Sequence, residues 1–183
     1  MKKLLIFLIL VILLIIPGWF GYHYFTNKNI SKVNLPMMIK LTSSAFSQGG
    51  IIPQKYSCDG EGINPPLALE GVPDQVKSLV LIFDDPDAPG GTFTHWLVWN
   101  IDPKITEIAE NSIPQNGVVG RNSGGKTGYF PPCPPSGTHR YIFKIFALDS
   151  ILDLPAGSNR AKLESAMQNH IIDQAELQGK YSR

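Results

Sequence analysis

The sequence has few cysteines, little charge and no stripe of basic residues. These absences exclude particular classes of protein and of binding partner. The chain's 183 residues include two Cys, 17% charged residues and a formal net charge of +1. Two cysteines allow at most one disulfide, which excludes the disulfide framework of small secreted proteins. Clustered Lys and Arg, which would follow a phosphate backbone, are missing. We therefore predict no nucleic-acid partner.

Internal repeats, low-complexity tracts and alternating strand–helix units are missing as well. The chain is 43% hydrophobic, so it can bury a core, and 17 Gly and 15 Pro separate its short apolar segments. Short segments between turn residues are typical of a β-rich domain, whereas a doubly wound sheet needs βαβ alternation. We predict a single, mostly β domain.

A long apolar segment lies near the N-terminus. Two lysines precede residues 4–25, in which His23 is the only residue that ionises near neutral pH. These residues, about 22 in number, would form a helix of roughly 33 Å, enough to cross a hydrocarbon core of about 30 Å. We predict a transmembrane signal anchor over residues 1–25, a polar linker over 26–37 and a domain over 38–183.

This segment predicts a single-pass membrane protein whose domain lies outside the cytoplasm, because the two lysines favour a cytoplasmic N-terminus. Cleavage of the segment, which would give a secreted domain, is the alternative. A small-x-small cleavage site is missing, since Trp19 and Phe20 are bulky.

Two apolar segments predict a central pair of strands. Residues 78–83 are continuously apolar, which is typical of a strand buried on both faces. Residues 94–101 follow after a short loop and are expected to pair with them. Regular alternation in this second strand would place His95 on the same face as Leu97, and Trp96 on the opposite face.

Two further elements follow. Residues 141–148 predict a third strand, and His139 precedes it in the same alternation as Tyr141. A helix is expected to begin at an N-cap, Ser158, and to continue through Ile171 at helical spacing.

Polar side chains collect at the predicted strand ends. Asp85 and Asp87 follow the buried strand in a loop stiffened by two prolines, and His95 opens the next strand. His139 and Tyr141 stand at the start of the third strand. Each residue alone is more typical of a turn or a structural position. Together, carboxylates, imidazoles and a phenol at one end of a sandwich favour a site for phosphate or another small oxyanion.

The pattern resembles the two signature regions of the phosphatidylethanolamine-binding protein family, in its bacterial and archaeal Raf-kinase-inhibitor-like branch. One region is Asp-Pro-Asp-Ala-Pro at residues 85–89 with His-Trp at 95–96. The other is Pro-Pro at 134–135 with His-Arg-Tyr at 139–141. The likeness covers residues 39–183 and implies a β-sandwich with short peripheral helices and a small anion pocket.

The resemblance also implies a ligand set and a way of acting. The pocket would bind a small anion or a phospholipid headgroup without a cofactor, and this binding would regulate a protein partner. Inhibition of an extracytoplasmic protease or kinase is the alternative, and the kinase-binding role of eukaryotic relatives is not expected to transfer. The implied pocket residues are Asp85, His95 and Tyr141, with Asp87, Trp96, Pro135 and His139 beside them. Pro131 departs from the Gly that relatives often carry near this position, and it removes an N–H that could contact an anion.

The two cysteines allow three interpretations. Outside the cytoplasm Cys58 and Cys133 can pair, and two free thiols are the alternative. A zinc site that combines both with His95 and His139 would lack close ligand spacing, so we predict no metal ligand. Hydrolysis, with Cys133 or Ser136 as nucleophile beside a histidine, is less favoured than binding because no nucleophile elbow is present.

Overall fold

The central strand organises the structure. The computed structural model describes residues 39–183, in which two antiparallel sheets have the strand orders β1-β2-β5 and β6-β4-β3-β7-β8. The elements are β1 (Lys40–Thr42), a 3₁₀ turn (Gln54–Tyr56), β2 (Leu67–Glu70), β3 (Ser78–Asp85), β4 (Phe93–Ile101), β5 (Glu107–Ile108), β6 (Val118–Val119), β7 (Thr138–Leu148), α1 (Arg160–Met167) and β8 (Ile171–Ser182).

β3 is buried along its whole length because a layer covers each of its faces. Leu79, Leu81 and Phe83 pack toward the three-stranded sheet, in the larger of two apolar clusters. Val80 and Ile82 pack on the other face against α1 and the segment before it. The predicted burial on both faces is confirmed, and so is the mostly β sandwich with little helix.

The strand pairings follow the prediction in part. β3 pairs with β4, as expected, and on its other side with β7. β7 in turn pairs with β8 over almost its full length. The sequence does not predict strand β8, because Ile171 continues the helical spacing of the residues before it. The helix ends instead at Met167, and Asn169 turns the chain in a left-handed conformation with φ 68°.

The helix also begins one residue later than predicted. Asn159, rather than Ser158, is the N-cap, and its side chain accepts a hydrogen bond from the Lys162 N–H. The Ser158 hydroxyl donates to the Pro155 carbonyl oxygen instead. Leu163 and Met167 are the buried residues that dock α1 on the sheet.

The prediction of an N-terminal transmembrane helix requires correction. Residues 1–25 and the predicted linker at 26–37 lie outside the described residues. Within residues 39–183, no helix is long and apolar enough to cross a membrane. Helix α1 has eight residues, about 12 Å of rise, against the roughly 30 Å of a hydrocarbon core. The structure therefore does not support the predicted helix, nor the membrane-anchored or secreted location drawn from it.

Gly179 gives a test of the packing between β8 and the segment before the 3₁₀ turn. A Cβ there would lie 2.5 Å from Ile52 Cγ1 and 2.9 Å from Phe46 Cε2. We expect Gly179→Ala to lower the free energy of unfolding by about 1–3 kcal/mol, because overpacking forces neighbours to shift. Urea denaturation measures this, with Lys180→Ala at the adjacent exposed position as control. Equal stability of the two variants would contradict it.

Candidate functional site

Two adjacent carboxylates mark the point where β3 leaves the sheet. Asp84 and Asp85 are both almost fully buried, and they face opposite layers because successive strand residues alternate. Asp84 accepts hydrogen bonds from Arg160 Nη1 at 2.6 Å and Thr94 Oγ1 at 3.1 Å on the helix side. Lys144 Nζ lies 3.4 Å from its other oxygen. The Asp84 carboxylate therefore has a structural role, because its contacts connect β3 to the helix and to the neighbouring strands.

Asp85 is held on the opposite side, where the two sheets meet at their ends. Its Oδ2 lies 2.7 Å from His139 Nδ1, and its Oδ1 accepts the Asp87 backbone N–H at 2.8 Å. Asp85 is 4% exposed and His139 8% exposed, so the pair is shielded from solvent. A carboxylate that accepts from Nδ1 fixes both the tautomer and the orientation of the imidazole.

His95 reaches this side because of a β-bulge. Phe83 pairs with Trp96 and Asp84 with Thr94, so His95 is an extra residue in β4. The bulge places His95 on the same side of the sheet as Trp96, with its ring 5.1 Å from that of Phe83. The prediction that His95 shares a face with Leu97 is therefore wrong. Bulges commonly re-aim a side chain beside a binding site.

The His95 ring is tied down through one nitrogen. Its Nδ1 lies 2.8 Å from the Phe130 carbonyl oxygen, while the Phe130 N–H donates to the His95 carbonyl at 2.9 Å. A carbonyl can only accept, so Nδ1 carries the proton. Burial lowers the pKa of His95, although the bond to Phe130 and the nearby Asp85 act in the opposite direction. The neutral imidazole is thereby favoured.

Three buried side-chain polar atoms meet no hydrogen-bond geometry with a partner among the described residues: the Tyr141 hydroxyl, the Trp96 indole N–H and the Ser150 hydroxyl. The Tyr141 ring lies 5.3 Å from His95 and 6.4 Å from His139, between ring centroids. Burial, together with the charge of Asp85, raises the pKa of Tyr141, so its hydroxyl keeps its proton as a donor. The hydroxyl is closed off from solvent and lies beside the Asp85 carboxylate.

The loop after β3 is fastened by a bidentate ion pair. Arg140 Nε lies 2.9 Å from Asp87 Oδ2, and Arg140 Nη2 lies 2.6 Å from Oδ1. The Arg140 backbone N–H also donates to Oδ2 at 2.8 Å. These bonds lower the pKa of Asp87 to about 2. Asp87 thus positions the loop and does not itself line the cavity.

These groups surround a cavity of about 300 Å³ at the end of the large sheet. It is lined by Asp85, Ala88, Pro89, Phe93, His95, Phe130, Cys133, Pro135 and His139. Four predicted site residues line it: Asp85, His95, Pro135 and His139. Tyr141 packs against both imidazoles. Trp96 lies in the core between the sheets and does not line the cavity.

The sequence did not reveal the aromatic wall formed by Phe93 and Phe130. Their rings lie 5.3 Å apart and both contact His95, at 4.8 and 5.8 Å between centroids. Phe93 precedes His95 by two residues, and this spacing was the available signal. A larger cavity, of about 590 Å³, lies at the opposite end of β3, but none of its polar residues is buried.

A disulfide closes the remaining wall. Cys58 and Cys133 are joined, with Cα atoms 5.4 Å apart, and the Cys58 N–H donates to the Pro132 carbonyl oxygen at 3.0 Å. Arg183 and Gly137 exchange two backbone hydrogen bonds at the other end of the same loop. The pairing leaves no thiol on Cys133. The described residues contain no cluster that could hold a metal ion.

The family model for phosphatidylethanolamine-binding proteins matches residues 42–182. The chain belongs to the phosphatidylethanolamine-binding protein family. The resemblance drawn from the two signature regions is thus confirmed. This membership also agrees with the position of the cavity, which the two signature regions of the family enclose.

Relatives of this family member share much of its length. A UPF0098 protein of Pyrococcus horikoshii is 53% identical over 151 residues, covering 77% of this chain and 75% of the relative. A UPF0098 protein of Methanothermobacter thermautotrophicus is 47% identical over 150 residues, covering 79% and 99%. These names assign no activity.

Two crystal structures of family members have the same fold. A putative phosphatidylethanolamine-binding protein homolog, CT736 of Chlamydia trachomatis, is 46% identical with a TM-score of 0.78. YbcL of E. coli, described as a new member of the mammalian family, is 29% identical with a TM-score of 0.75. In each case the match covers 80% of this chain and 99% of the other.

The ion pair at the loop of this family member gives a pH prediction. A lowered pKa means that Asp87 stabilises the fold above its unfolded pKa, near 4, and that this contribution is lost as pH falls toward 2. We expect Arg140→Ala to raise the pKa of Asp87 by about one unit or more. Carboxyl NMR titration measures this, with exposed Asp74 as an internal control. An unchanged Asp87 titration would contradict the assignment.

The disulfide gives a stability prediction. Cys58 and Cys133 are 75 residues apart, so their bond restricts the unfolded chain considerably. We expect reduction to lower the free energy of unfolding by about 2–4 kcal/mol, measured by urea denaturation with and without a thiol reductant. Cys58→Ser should match the reduced protein and show no response to reductant. Equal midpoints for the oxidised and reduced protein would refute the prediction.

Proposed function

We propose that this protein binds a small oxyanion, such as phosphate or a phospho-headgroup, in the cavity at the end of β3, without catalysing a reaction. One observation carries the proposal. Three buried polar side chains, Asp85, His95 and His139, converge on a cavity whose other walls are mostly apolar. A few convergent polar groups on apolar walls are what small-molecule sites commonly have.

The size of the cavity limits what it can hold. About 300 Å³ is at the lower end of small-molecule pockets, so it suits a phosphate-sized group with a short substituent rather than a whole lipid. The Phe93 and Phe130 rings would contact the substituent, while the polar groups would fix the anionic end. Low local polarity strengthens each hydrogen bond made inside.

The proline loop reduces the number of backbone donors near the ligand. Pro131 has no N–H, and the Phe130 N–H is already bonded to His95. Binding would therefore depend on side chains, above all on the two imidazoles that line the cavity. Recognition through side chains makes the proposed affinity sensitive to single substitutions.

Binding is favoured over catalysis by the state of the candidate nucleophiles. The sulfur of Cys133 is bonded to Cys58, and Ser136 is exposed in a turn. Regulation of a protein partner is a separate proposal, and it rests on the family resemblance alone.

Titration calorimetry tests the proposed binding. Phosphate and phosphoethanolamine should bind the wild-type protein, and His95→Ala should weaken binding at least tenfold, because it removes a buried polar contact. His170→Ala, which removes an exposed imidazole paired with Asp149, is the matched control and should bind normally. A thermal melt of each variant shows that it is folded. If phosphate, phosphoethanolamine and acetate all fail to bind the wild type, the proposal is wrong.

A further inference from the structure

The two sulfurs of the disulfide have different surroundings. Cys58 is exposed, whereas Cys133 is half-buried and lines the cavity. Arg183 Nη1 lies 3.4 Å from Cys133 Sγ and donates a hydrogen bond to it. Among the described residues, no group hydrogen-bonds to Cys58 Sγ. The disulfide is therefore open to solvent at one sulfur and contacts a cation at the other.

Arg183 is held beside the sulfur through its backbone and its side chain. Its backbone exchanges hydrogen bonds with Gly137, at 2.9 and 3.2 Å. Its Nε lies 3.1 Å from Asp59 Oδ1, and the other oxygen of Asp59 accepts the Tyr181 hydroxyl at 2.8 Å. Because Asp59 binds at Nε, Nη1 remains for the sulfur. A guanidinium fixed in this way needs little reorganisation when negative charge develops on Cys133.

Exchange at a disulfide depends on access to one sulfur and on the stability of the other as a thiolate. An external thiolate attacks one sulfur, and the other leaves faster when its thiol has a lower pKa. A neighbouring Arg lowers the pKa of a Cys thiol from its ordinary value of about 8.5. Exposure thus favours attack at Cys58, and Arg183 favours the departure of Cys133.

We propose that the Cys58–Cys133 disulfide is a site of exchange with low-molecular-weight thiols, with Cys58 as the attacked sulfur and Cys133 as the leaving sulfur. The incoming thiolate forms a bond to Cys58 Sγ, the Sγ–Sγ bond breaks, and its electron pair passes to Cys133 Sγ. The incoming thiol is thereby oxidised to a mixed disulfide on Cys58, and Cys133 is reduced to a thiolate. A second thiol can attack the mixed disulfide, which releases a small-molecule disulfide and leaves a Cys58 thiolate.

Two carboxylates lie on the elements around the disulfide, and both have partners. Asp59, next to Cys58 in the chain, is paired with Arg183. Asp85 lines the same cavity as Cys133, and its Oδ2 lies 2.7 Å from His139 Nδ1. Both carboxylates would oppose a thiolate, but Arg183 Nη1 is the charged group that contacts the leaving sulfur. Contact at this distance outweighs more distant charges in a partly exposed site.

The exchange would alter the cavity wall without requiring the protein to unfold. Cys133 lines the cavity, so a charged sulfur would replace a neutral one there. The loop of residues 131–135 would keep two other connections, the bond from the Cys58 N–H to the Pro132 carbonyl oxygen and the Gly137–Arg183 pair. We therefore expect the folded protein itself to react.

Trapping of the first product tests the inference. The oxidised protein is incubated with excess 2-mercaptoethanol in the absence of denaturant, quenched with acid, alkylated, and mapped by peptide mass spectrometry. We expect the mixed disulfide on Cys58 and the alkyl group on Cys133, in roughly tenfold excess over the reverse isomer. The rate of exchange should rise in proportion to the concentration of 2-mercaptoethanol.

Variants of Arg183 separate its charge from the exposure of Cys58. Arg183→Gln should slow the exchange roughly threefold, which is the effect of about one pKa unit in the leaving thiol. Arg183→Lys keeps the charge and should retain most of the rate. Arg121→Gln is the matched control, because it removes an exposed arginine whose backbone N–H bonds to Ser158 near the helix. In a Cys58→Ser background, Arg183→Gln should raise the pKa of the Cys133 thiol, measured by the ultraviolet absorbance of its thiolate.

The same experiments contain the contrary outcomes. A mixed disulfide found mainly on Cys133, or equal rates for the wild type and Arg183→Gln, overturns the inference. A rate that does not depend on the thiol concentration overturns it as well, because exchange would then wait for the protein to unfold. The inference is independent of the proposed function, since none of these measurements uses a cavity ligand.

Discussion

The structure depends on the burial of two adjacent carboxylates, Asp84 and Asp85, at the end of the central strand. A buried carboxylate without partners is strongly destabilising, so each has to be met by donors from another part of the chain. Arg160 from the helix layer hydrogen-bonds to Asp84, and His139 from the neighbouring strand hydrogen-bonds to Asp85. The same two contacts that satisfy these charges also align the helix and the cavity with the sheet.

The fold could be predicted from the sequence where a hydrophobic pattern was compatible with a single kind of secondary structure. β3 has a continuous apolar run, and two covered faces are the only arrangement that suits it. β8 could not be recognised, because Ile171 continues the helical spacing of the residues before it, and the left-handed turn at Asn169 carries no hydrophobic signal. Strand pairing with β7 overrides the local preference, and Gly179 there allows the close approach of Ile52.

The site could be predicted as a set of residue types but not as a geometry. The family resemblance pointed to Asp85, His95 and His139, and the structure brings all three to one cavity. The sequence could not show that Asp87 acts through Arg140, nor that Trp96 belongs to the core, because both facts depend on side-chain orientation. The aromatic wall was missed for a related reason: Phe130 lies in an irregular loop, where residue spacing does not predict direction.

The bulge at His95 also bears on how this architecture can change by insertion and deletion. Deleting one residue at the bulge would let β4 pair regularly with β3 across Phe83 and Asp84, and the ladder on either side would remain. The imidazole, however, would be lost from the cavity or turned toward the helix layer. A variant shortened by this residue would therefore keep the fold but lose the proposed ligand binding in the cavity. We therefore expect a one-residue gap at this bulge to mark a relative that keeps the fold but lacks the pocket imidazole.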